Sequence, residues 1–247
     1  MRKYIIQRFL QLIPILIGIT FLSFAMMRVA GSDAVTEMYE NRGTAVSQEI
    51  IDAKKAELGL DQPFLIQYVS WLNGFLHGDM GTSYVSGKKV FDEFVSKLPA
   101  TLLLTVMSIL ATVVISIPLG VLAAVCQDKW VDLLLRFFSF IGNAMPNFFV
   151  AMLLMQLLSI KLNLLPVIAS GVNIRSALMP MLTLAIYPTS YLTRLTRASI
   201  LEVMNQDYLR TERAKGMSEF VVVFIHALKN SLIPVITYLG PLTASIL

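Results

Sequence analysis

The chain has 247 residues, of which 56% are hydrophobic and only 15% are charged. A soluble domain carries about 25% charged residues, so this composition indicates a protein whose solvent is a lipid bilayer. The formal net charge of +4 does not indicate nucleic-acid binding, because the basic residues are scattered between apolar blocks without interleaved aromatic residues. It matches a membrane protein with basic cytoplasmic edges.

The first apolar block, residues 9–27, predicts a transmembrane helix, since about 20 helical residues cross a hydrocarbon core of ~30 Å. Arg2, Lys3 and Arg8 precede it, as in a secretory signal peptide. The block is longer than the apolar region of a signal peptide, and no small-residue cleavage site follows it. We therefore expect residues 1–29 to form an uncleaved first span with a cytoplasmic N-terminus.

Residues 30–98 are polar and predict an external region. Within it, Ser47 is placed to cap a helix, Gly59 to end that helix and Pro63 to prevent its continuation. The next segment, residues 63–78, has apolar side chains at helical spacing and predicts a helix that lies on the membrane surface.

Residues 99–247 predict a transmembrane core. Counting spans from a cytoplasmic N-terminus places residues 194–230 in the cytoplasm, and the excess of basic residues there agrees with that side. The chain is still apolar at Leu247, so we expect a further C-terminal part beyond it. The fold class predicted is all-α and polytopic with five transmembrane helices. The four apolar blocks after the first are residues 101–126, 137–160, 177–193 and 231–247.

The second of these four blocks is interrupted by "GNAMPN", residues 142–147. Proline removes one helical hydrogen bond and frees a carbonyl group, which predicts a kink. The kink either lines a substrate path or belongs to ordinary helix packing with amide groups bonded across helices. Pro180 and Pro188 predict kinks in the third block. The candidate path residues are Asn143, Met145, Pro146 and Asn147.

Acidic residues are absent from the predicted spans, because Asp128 and Asp132 fall in a short predicted cytoplasmic loop. Transporters driven by protons or sodium ions usually carry such residues within the membrane. The lone Cys126 excludes an internal disulfide, and the two distant histidines, His77 and His226, argue against a metal site or a histidine-based catalytic site. A membrane enzyme is therefore the weakest alternative.

The segment "DYLRTERAKGMSEF", residues 207–220, is the most highly charged part of the core. Residues 199–215 predict a helix that extends beyond the membrane, and Gly216 fits the left-handed position that ends it. Ser218 is placed to cap the following helix, with Glu219 favourable in its first turn. We expect a protruding helix–glycine–helix structure whose charges face outward. Its side chains available for a groove are Tyr208, Leu209, Met217 and Phe220.

The stretch "DYLRTERAKGMSEFVVVFIHALKNSLIPVIT" resembles the signature loop of binding-protein-dependent ABC (ATP-binding cassette) importer permeases. It is most similar to the dipeptide/oligopeptide/nickel subfamily, whose members carry "DYVRTARAKG" followed by "HALRNALIPV". Arg210, Thr211 and Glu212 occupy the E-A-A positions of the wider consensus, and Glu212 stands where subfamily members often have alanine. The landmarks "LGLDQP", "GDMGTSY", "LPATLLLT", "MPNFFVAMLL" and "MPMLTLA" also resemble the subfamily, in the same order.

The resemblance implies a non-catalytic permease in the bacterial inner membrane that imports peptides, or nickel or a nickel chelate. Its implied partners are a second homologous permease, two cytoplasmic ATPases that bind ATP and magnesium, and an external solute-binding protein. This chain would bind no cofactor. A secondary transporter or channel that acts without ATPases is the alternative. The implied ATPase-coupling residues are Asp207, Tyr208, Arg210, Glu212, Arg213, Ala214, Lys215, Gly216, Met217 and Ser218.

Overall fold

The computed structural model describes residues 2–29, 35–36, 39, 46–83, 86–168 and 171–247. The other positions of the predicted external region lie outside the described residues. The described parts consist of helices and connecting turns, and their only extended pairing is an isolated antiparallel bridge between Thr82 and Lys89. The chain divides into two compact units, Met1–Ser96 and Lys97–Leu247.

The first unit pairs its first helix with a short aromatic helix. Helices α1 (Arg2–Val29), α2 (Gln48–Glu57) and α3 (Phe64–Leu76) belong to this unit. Phe21 on α1 meets Tyr68 on α3 edge to face, with the ring centroids 5.2 Å apart. Such aromatic pairs add about 0.5–1.5 kcal/mol beyond the area that they bury. The placement of α3 on a membrane surface stays a prediction.

The predicted end of α2 is confirmed. Gly59 has a φ of +66°, its N–H group donates to the carbonyl of Ala56, and the N–H group of Leu60 donates to the carbonyl of Lys55. These two bonds form the Schellman motif, which requires a left-handed residue. Ser47 stands at the N-cap as predicted, but its side chain makes no capping hydrogen bond.

Seven α-helices follow, some of them extended by π-helical turns. Helix α4 begins at Val90, earlier than the predicted start of its span at residue 101, since Asp92 and Glu93 favour a helix N-terminus. Pro180 and Pro188 both lie inside one long helix, α7. The helices are α4 (Val90–Val125), α5 (Trp130–Ala144), α6 (Asn147–Leu154, then a π-helix Met155–Lys161), α7 (Ile174–Met204), α8 (Asp207–Ala214), α9 (Glu219–Val221, then a π-helix Val222–Ala227) and α10 (Leu228–Ile246).

Helix α7 is the centre of the second unit and packs against α5, α6 and α10. Leu192 and Ile200 on α7 are fully buried, Leu192 against Val235 of α10 and Ile200 against Val121 of α4. Hydroxyl side chains are buried beside them on α7. Many large apolar residues on the other helices are exposed instead, which is the distribution expected when lipid is the solvent. The buried hydroxyl residues are Ser176, Thr183, Ser190, Thr193, Thr196 and Ser199.

Three helical stretches in the described residues are long and apolar enough to cross a membrane: Arg2–Arg28, Val90–Val125 and Glu219–Ile246. The pair Trp130–Ala144 and Asn147–Lys161, bent by 107°, gives a fourth if it is one broken span. Helix α7 has sufficient length, but its serine, threonine and tyrosine residues lower its hydropathy. The all-α polytopic fold is therefore confirmed, whereas the count of five spans is approximate.

Glycine allows α4 to approach α7 very closely. A Cβ atom built on Gly120 would lie 2.5 Å from Cβ of Thr196 and 2.8 Å from the carbonyl oxygen of Thr193. The carbonyl oxygen belongs to the backbone of α7 and cannot rotate away. A side chain at Gly120 would therefore force the two helices apart.

We expect Gly120→Ala to lower the thermal unfolding midpoint of the purified protein, because overpacking costs about 1–3 kcal/mol. Gly240→Ala is the matched control, since this glycine also lies inside a helix but has no atom within 4 Å of the added Cβ. Thermal unfolding in detergent measures both variants. Equal midpoints for the two variants would contradict close packing at Gly120.

Candidate functional site

The charged segment after α7 begins with a break in the helix. A continuous helix over residues 199–215 was the prediction, and it is wrong: α7 ends at Met204 and α8 begins at Asp207. The side chain of Asn205 donates to the carbonyl of Leu201 at 3.0 Å, which satisfies a carbonyl at the end of α7. Gln206 is extended, and Asp207 then favours a new helix N-terminus. We refer to residues 205–227 as the elbow.

Gly216 ends α8 in the predicted left-handed conformation, with a φ of +83°. Its N–H group donates to the carbonyl of Arg213 at 2.9 Å, and the N–H group of Met217 donates to the carbonyl of Glu212 at 3.3 Å. This is a complete Schellman motif. A Cβ atom at Gly216 would meet no atom within 4 Å, so the backbone conformation alone favours glycine here.

An ion pair joins the two sides of the Gly216 turn. Arg213 Nε donates to Glu219 Oε1 at 2.7 Å, and its Nη2 reaches Glu219 Oε2 at 3.4 Å. Ser218 occupies the N-cap position of α9 as predicted, but its side chain makes no capping bond. The turn is therefore held by Arg213 and Glu219 rather than by a serine cap.

The elbow has its own small apolar core. Leu209, Val222 and Ala227 are fully buried and pack against Val203 and Met204 at the end of α7. Leu209 was predicted to be available for a groove, and this is wrong because its side chain faces the inside of the elbow. The elbow is a packed structure attached to the end of α7 rather than an extended loop.

A π-helical turn, Val222–Ala227, lies within the elbow and has no counterpart in the sequence prediction. One extra residue per turn shifts the positions of the following side chains, and such turns are frequent at functional sites. Leaving the elbow, Asn230 Nδ2 donates to the hydroxyl of Tyr208 at 2.8 Å. This bond ties the start of α8 to the start of α10.

The outer surface of the elbow carries both apolar and charged side chains. Tyr208, Met217 and Phe224 are partly exposed, and Phe220 is 67% exposed. Phe220 and Phe224 stack with their ring centroids 4.6 Å apart. The charged groups pair within the elbow, Arg210 with Asp207 at 3.4 Å and Lys215 with Glu212 at 3.0 Å. Except for the half-buried Glu212 and Arg213, the predicted coupling residues are exposed.

The "GNAMPN" segment forms a sharp bend rather than a mild kink. Helix α5 ends at Ala144 and α6 begins at Asn147, with 107° between the two helices. Met145 and Pro146 are extended between them. Asn143 Oδ1 is buried and has no hydrogen-bond partner among the described residues. The predicted interruption is confirmed, while a role in the substrate path stays a prediction.

A buried ion pair between α5 and α7 was not predicted. Asp132 was predicted to lie in a short loop, and this is wrong: it lies in the first turn of α5 with a fully buried side chain. Its cytoplasmic side stays a prediction. Arg197 Nε and Nη2 donate to its two carboxylate oxygens, each at 2.7 Å. Arg197 belongs to α7. No sequence spacing links two residues that lie 65 positions apart.

Two family descriptions match this chain. Residues 116–247 match "Binding-protein-dependent transport system inner membrane component", and residues 1–105 match the N-terminal region of the membrane components of such systems. This chain belongs to the inner membrane components of binding-protein-dependent transport systems. It is a multi-pass permease subunit of an ABC importer, and the resemblance read from the sequence is confirmed.

Curated relatives agree over almost the whole chain. The oligopeptide transport system permease protein AppB of Bacillus subtilis is 41% identical over 252 residues, which cover 97% of this chain and 78% of the relative. A putative peptide transport system permease protein of Brucella suis is 34% identical, with the same coverage. The glutathione transport system permease protein GsiC of Escherichia coli is 35% identical and covers 97% of this chain and 77% of the relative.

We expect Leu209→Ala to loosen the elbow, because removing a buried leucine side chain costs about 2–5 kcal/mol. Hydrogen–deuterium exchange of residues 207–214 should become faster. Met217→Ala is the control, since Met217 also lies in the elbow but is partly exposed, and exchange there should stay near that of the unmodified protein. Unchanged exchange in Leu209→Ala would contradict a packed elbow core.

Proposed function

We propose that the elbow is the surface on which a cytoplasmic ATPase docks on this permease. The observation that carries the proposal is a packed helix–glycine–helix structure at the end of the central helix. Its core, around Leu209 and Val222, is closed, yet Phe220 and Met217 remain exposed outside it. Exposed apolar groups beside an aqueous compartment favour a protein partner that covers them.

The charges of the elbow support docking through a mixed apolar and polar contact. Lys215 with Glu212 and Arg210 with Asp207 are ion pairs within the elbow itself. Their charges are balanced before a partner arrives, so an ATPase groove has less charge to desolvate. A partly apolar centre with a polar rim is the usual composition of a protein–protein interface.

The membership of the family implies ATPase and binding-protein partners in general, and we propose a specific assembly. It contains this chain, a second homologous permease, two ATPases that bind ATP and magnesium, and an external solute-binding protein that meets residues 30–98. The N-terminus lies in the cytoplasm, on the side of the elbow, because basic residues favour that side. The chain itself catalyses no reaction.

In this assembly, closure of the ATPases moves the elbow, and the movement passes to α7 as a rigid-body displacement. The bend at Met145 and Pro146 then borders the path of the cargo. Two features support the path: the bend is sharp, and a buried amide oxygen of Asn143 beside it is free to accept a hydrogen bond. Import takes place when this path opens alternately to the outside and to the cytoplasm.

For the cargo, we propose short peptides. The names of the relatives concern oligopeptides, peptides and glutathione, and each of these molecules carries amide groups that Asn143 could bind. Nickel or a nickel chelate is the other cargo implied by the resemblance. In the described parts of the chain, no group of three histidine, cysteine, aspartate or glutamate residues is placed to hold a metal ion.

Gly216→Val should uncouple ATP hydrolysis from import. A left-handed conformation costs a residue with a Cβ atom about 1–2 kcal/mol, so valine would distort the turn between α8 and α9. The measurement is peptide uptake per ATP hydrolysed by the complete assembly in proteoliposomes. We expect this ratio to fall in Gly216→Val.

Gly216→Asn is the matched control. Asparagine tolerates the left-handed conformation far better than valine, and the added side chain meets open space. We expect uptake per ATP to stay close to that of the unmodified assembly. Normal coupling in Gly216→Val would exclude the elbow as the site through which the ATPases act.

The solute-binding protein of this assembly should carry peptides when it is purified without added ligand. Mass spectrometry of the released ligand tests the cargo, and a nickel complex in place of peptides would contradict it.

Co-purification tests the assembly: a stable complex with ATPase subunits is expected. Transport by this chain alone in liposomes, without ATPases, would instead establish a secondary transporter or channel.

A further inference from the structure

The carboxylate of Asp132 is the most completely bonded charged group in the second unit. Arg197 of α7 binds both of its oxygens at 2.7 Å. The backbone N–H group of Asp128 donates to Oδ2 at 3.1 Å, and Arg136 Nε lies 3.4 Å from Oδ1. The Asp132 side chain is fully buried and that of Arg197 is 17% exposed, whereas that of Arg136 is 45% exposed. The bond that crosses between helices is therefore the shielded one.

The pair lies between the elbow and the bend. Arg197 precedes the end of α7 at Met204 by seven residues, about 10 Å along a helix, and Met204 packs into the elbow core. Asp132 stands at the start of α5, whose other end, Ala144, adjoins the bend. Any displacement of the C-terminal part of α7, next to the elbow, thus acts on α5 through Arg197.

The far end of α5 is also held to α7. A Cβ atom on Gly142 would overlap Oγ of Ser190, so the backbone of α5 packs there directly against the side chains of Ser190 and Ile186. Helix α5 is consequently fixed to α7 at both ends, by an ion pair near Asp132 and by close packing near Gly142.

Stability of the fold alone is a weak reason for a buried ion pair, because the cost of desolvating the two charges offsets most of their attraction. Apolar residues of similar size in the same place often stabilise a protein equally well. A bidentate pair adds defined geometry, since the planar guanidinium fixes the orientation of the carboxylate. The location and the geometry together indicate that this pair positions α5 relative to α7.

We propose that Asp132 and Arg197 are positioning residues that transmit the motion of the elbow to the bend at Met145 and Pro146. The proposal rests on the function proposed for the elbow. Neither residue touches cargo or ATP. Their bond makes α5 follow α7 when the ATPases move the elbow. Without this bond, the ATPases still hydrolyse ATP, but α5 and the bend at its end move less than α7 does.

The test uses the complete assembly in proteoliposomes and the ratio of peptide uptake to ATP hydrolysed. Asp132→Asn and Arg197→Gln should each lower this ratio about tenfold, within the range typical of coupling between sites. The ATPases should still co-purify. The double variant Asp132→Arg with Arg197→Asp restores opposite charges, and it should recover part of the ratio.

Arg136→Gln is the matched control. Arg136 contacts the same carboxylate but lies on the same helix as Asp132, so its loss leaves the bond between helices intact. We expect a ratio within about twofold of the unmodified assembly. A loss equal to that of Arg197→Gln would show that local charge, and not the bond between α5 and α7, is what matters.

The outcomes separate the two proposals. If the unmodified assembly contains no ATPase or shows no ATP-dependent uptake, both proposals fail. If it imports peptides and the Asp132 and Arg197 variants keep the normal ratio, only the positioning role fails. If every variant loses the assembly, or loses uptake and ATP hydrolysis in equal proportion, the pair only maintains the fold and the positioning role is likewise overturned.

Discussion

Apolar side chains gain little free energy by leaving lipid for a protein interior, so membrane helices associate through close packing and polar contacts. In this permease, α7 makes most of these close and polar contacts. Gly120 and Gly142 bring the backbones of neighbouring helices to its surface, and threonine and serine side chains of α7 occupy the contacts. The helix that receives its neighbours most closely also carries the elbow at its end, so the packing and the coupling that we propose depend on the same helix.

The elbow is organised differently. It has a closed apolar core around Leu209, paired charges outside, and a left-handed glycine that sets the angle between its two helices. In the docking that we propose, a rigid projection of this kind would displace α7 as a lever. A flexible loop in the same place would absorb the displacement. The π-helical turn Val222–Ala227 then leads the chain back toward the membrane.

The predictions that succeeded depend on local residues. Gly59 and Gly216 both end helices in the left-handed conformation, because a glycine after an amphipathic helix meets a steric demand that involves only its neighbours. The prediction of an interruption at Pro146 was also confirmed, because the effect of a proline on a helix depends on its neighbours in the sequence. The break at Asn205 was missed, although Asn205 and Asp207 favour helix ends, because most of residues 199–215 have good helix propensity and the break also depends on side-chain bonding and packing. Leu209 was misplaced because exposure on a short helix depends on what packs behind it.

The sequence by itself determined the solvent, the family and the local ends of several helices, since hydropathy, signature residues and turn-forming glycines act over short distances. Only the tertiary structure decided that Asp132 and Arg197, 65 positions apart, form a buried pair between α5 and α7. It also decided that the bend at Pro146 reaches 107°. Both depend on how distant helices share one interior, and a buried charge is tolerated only where that arrangement brings its partner within bonding distance.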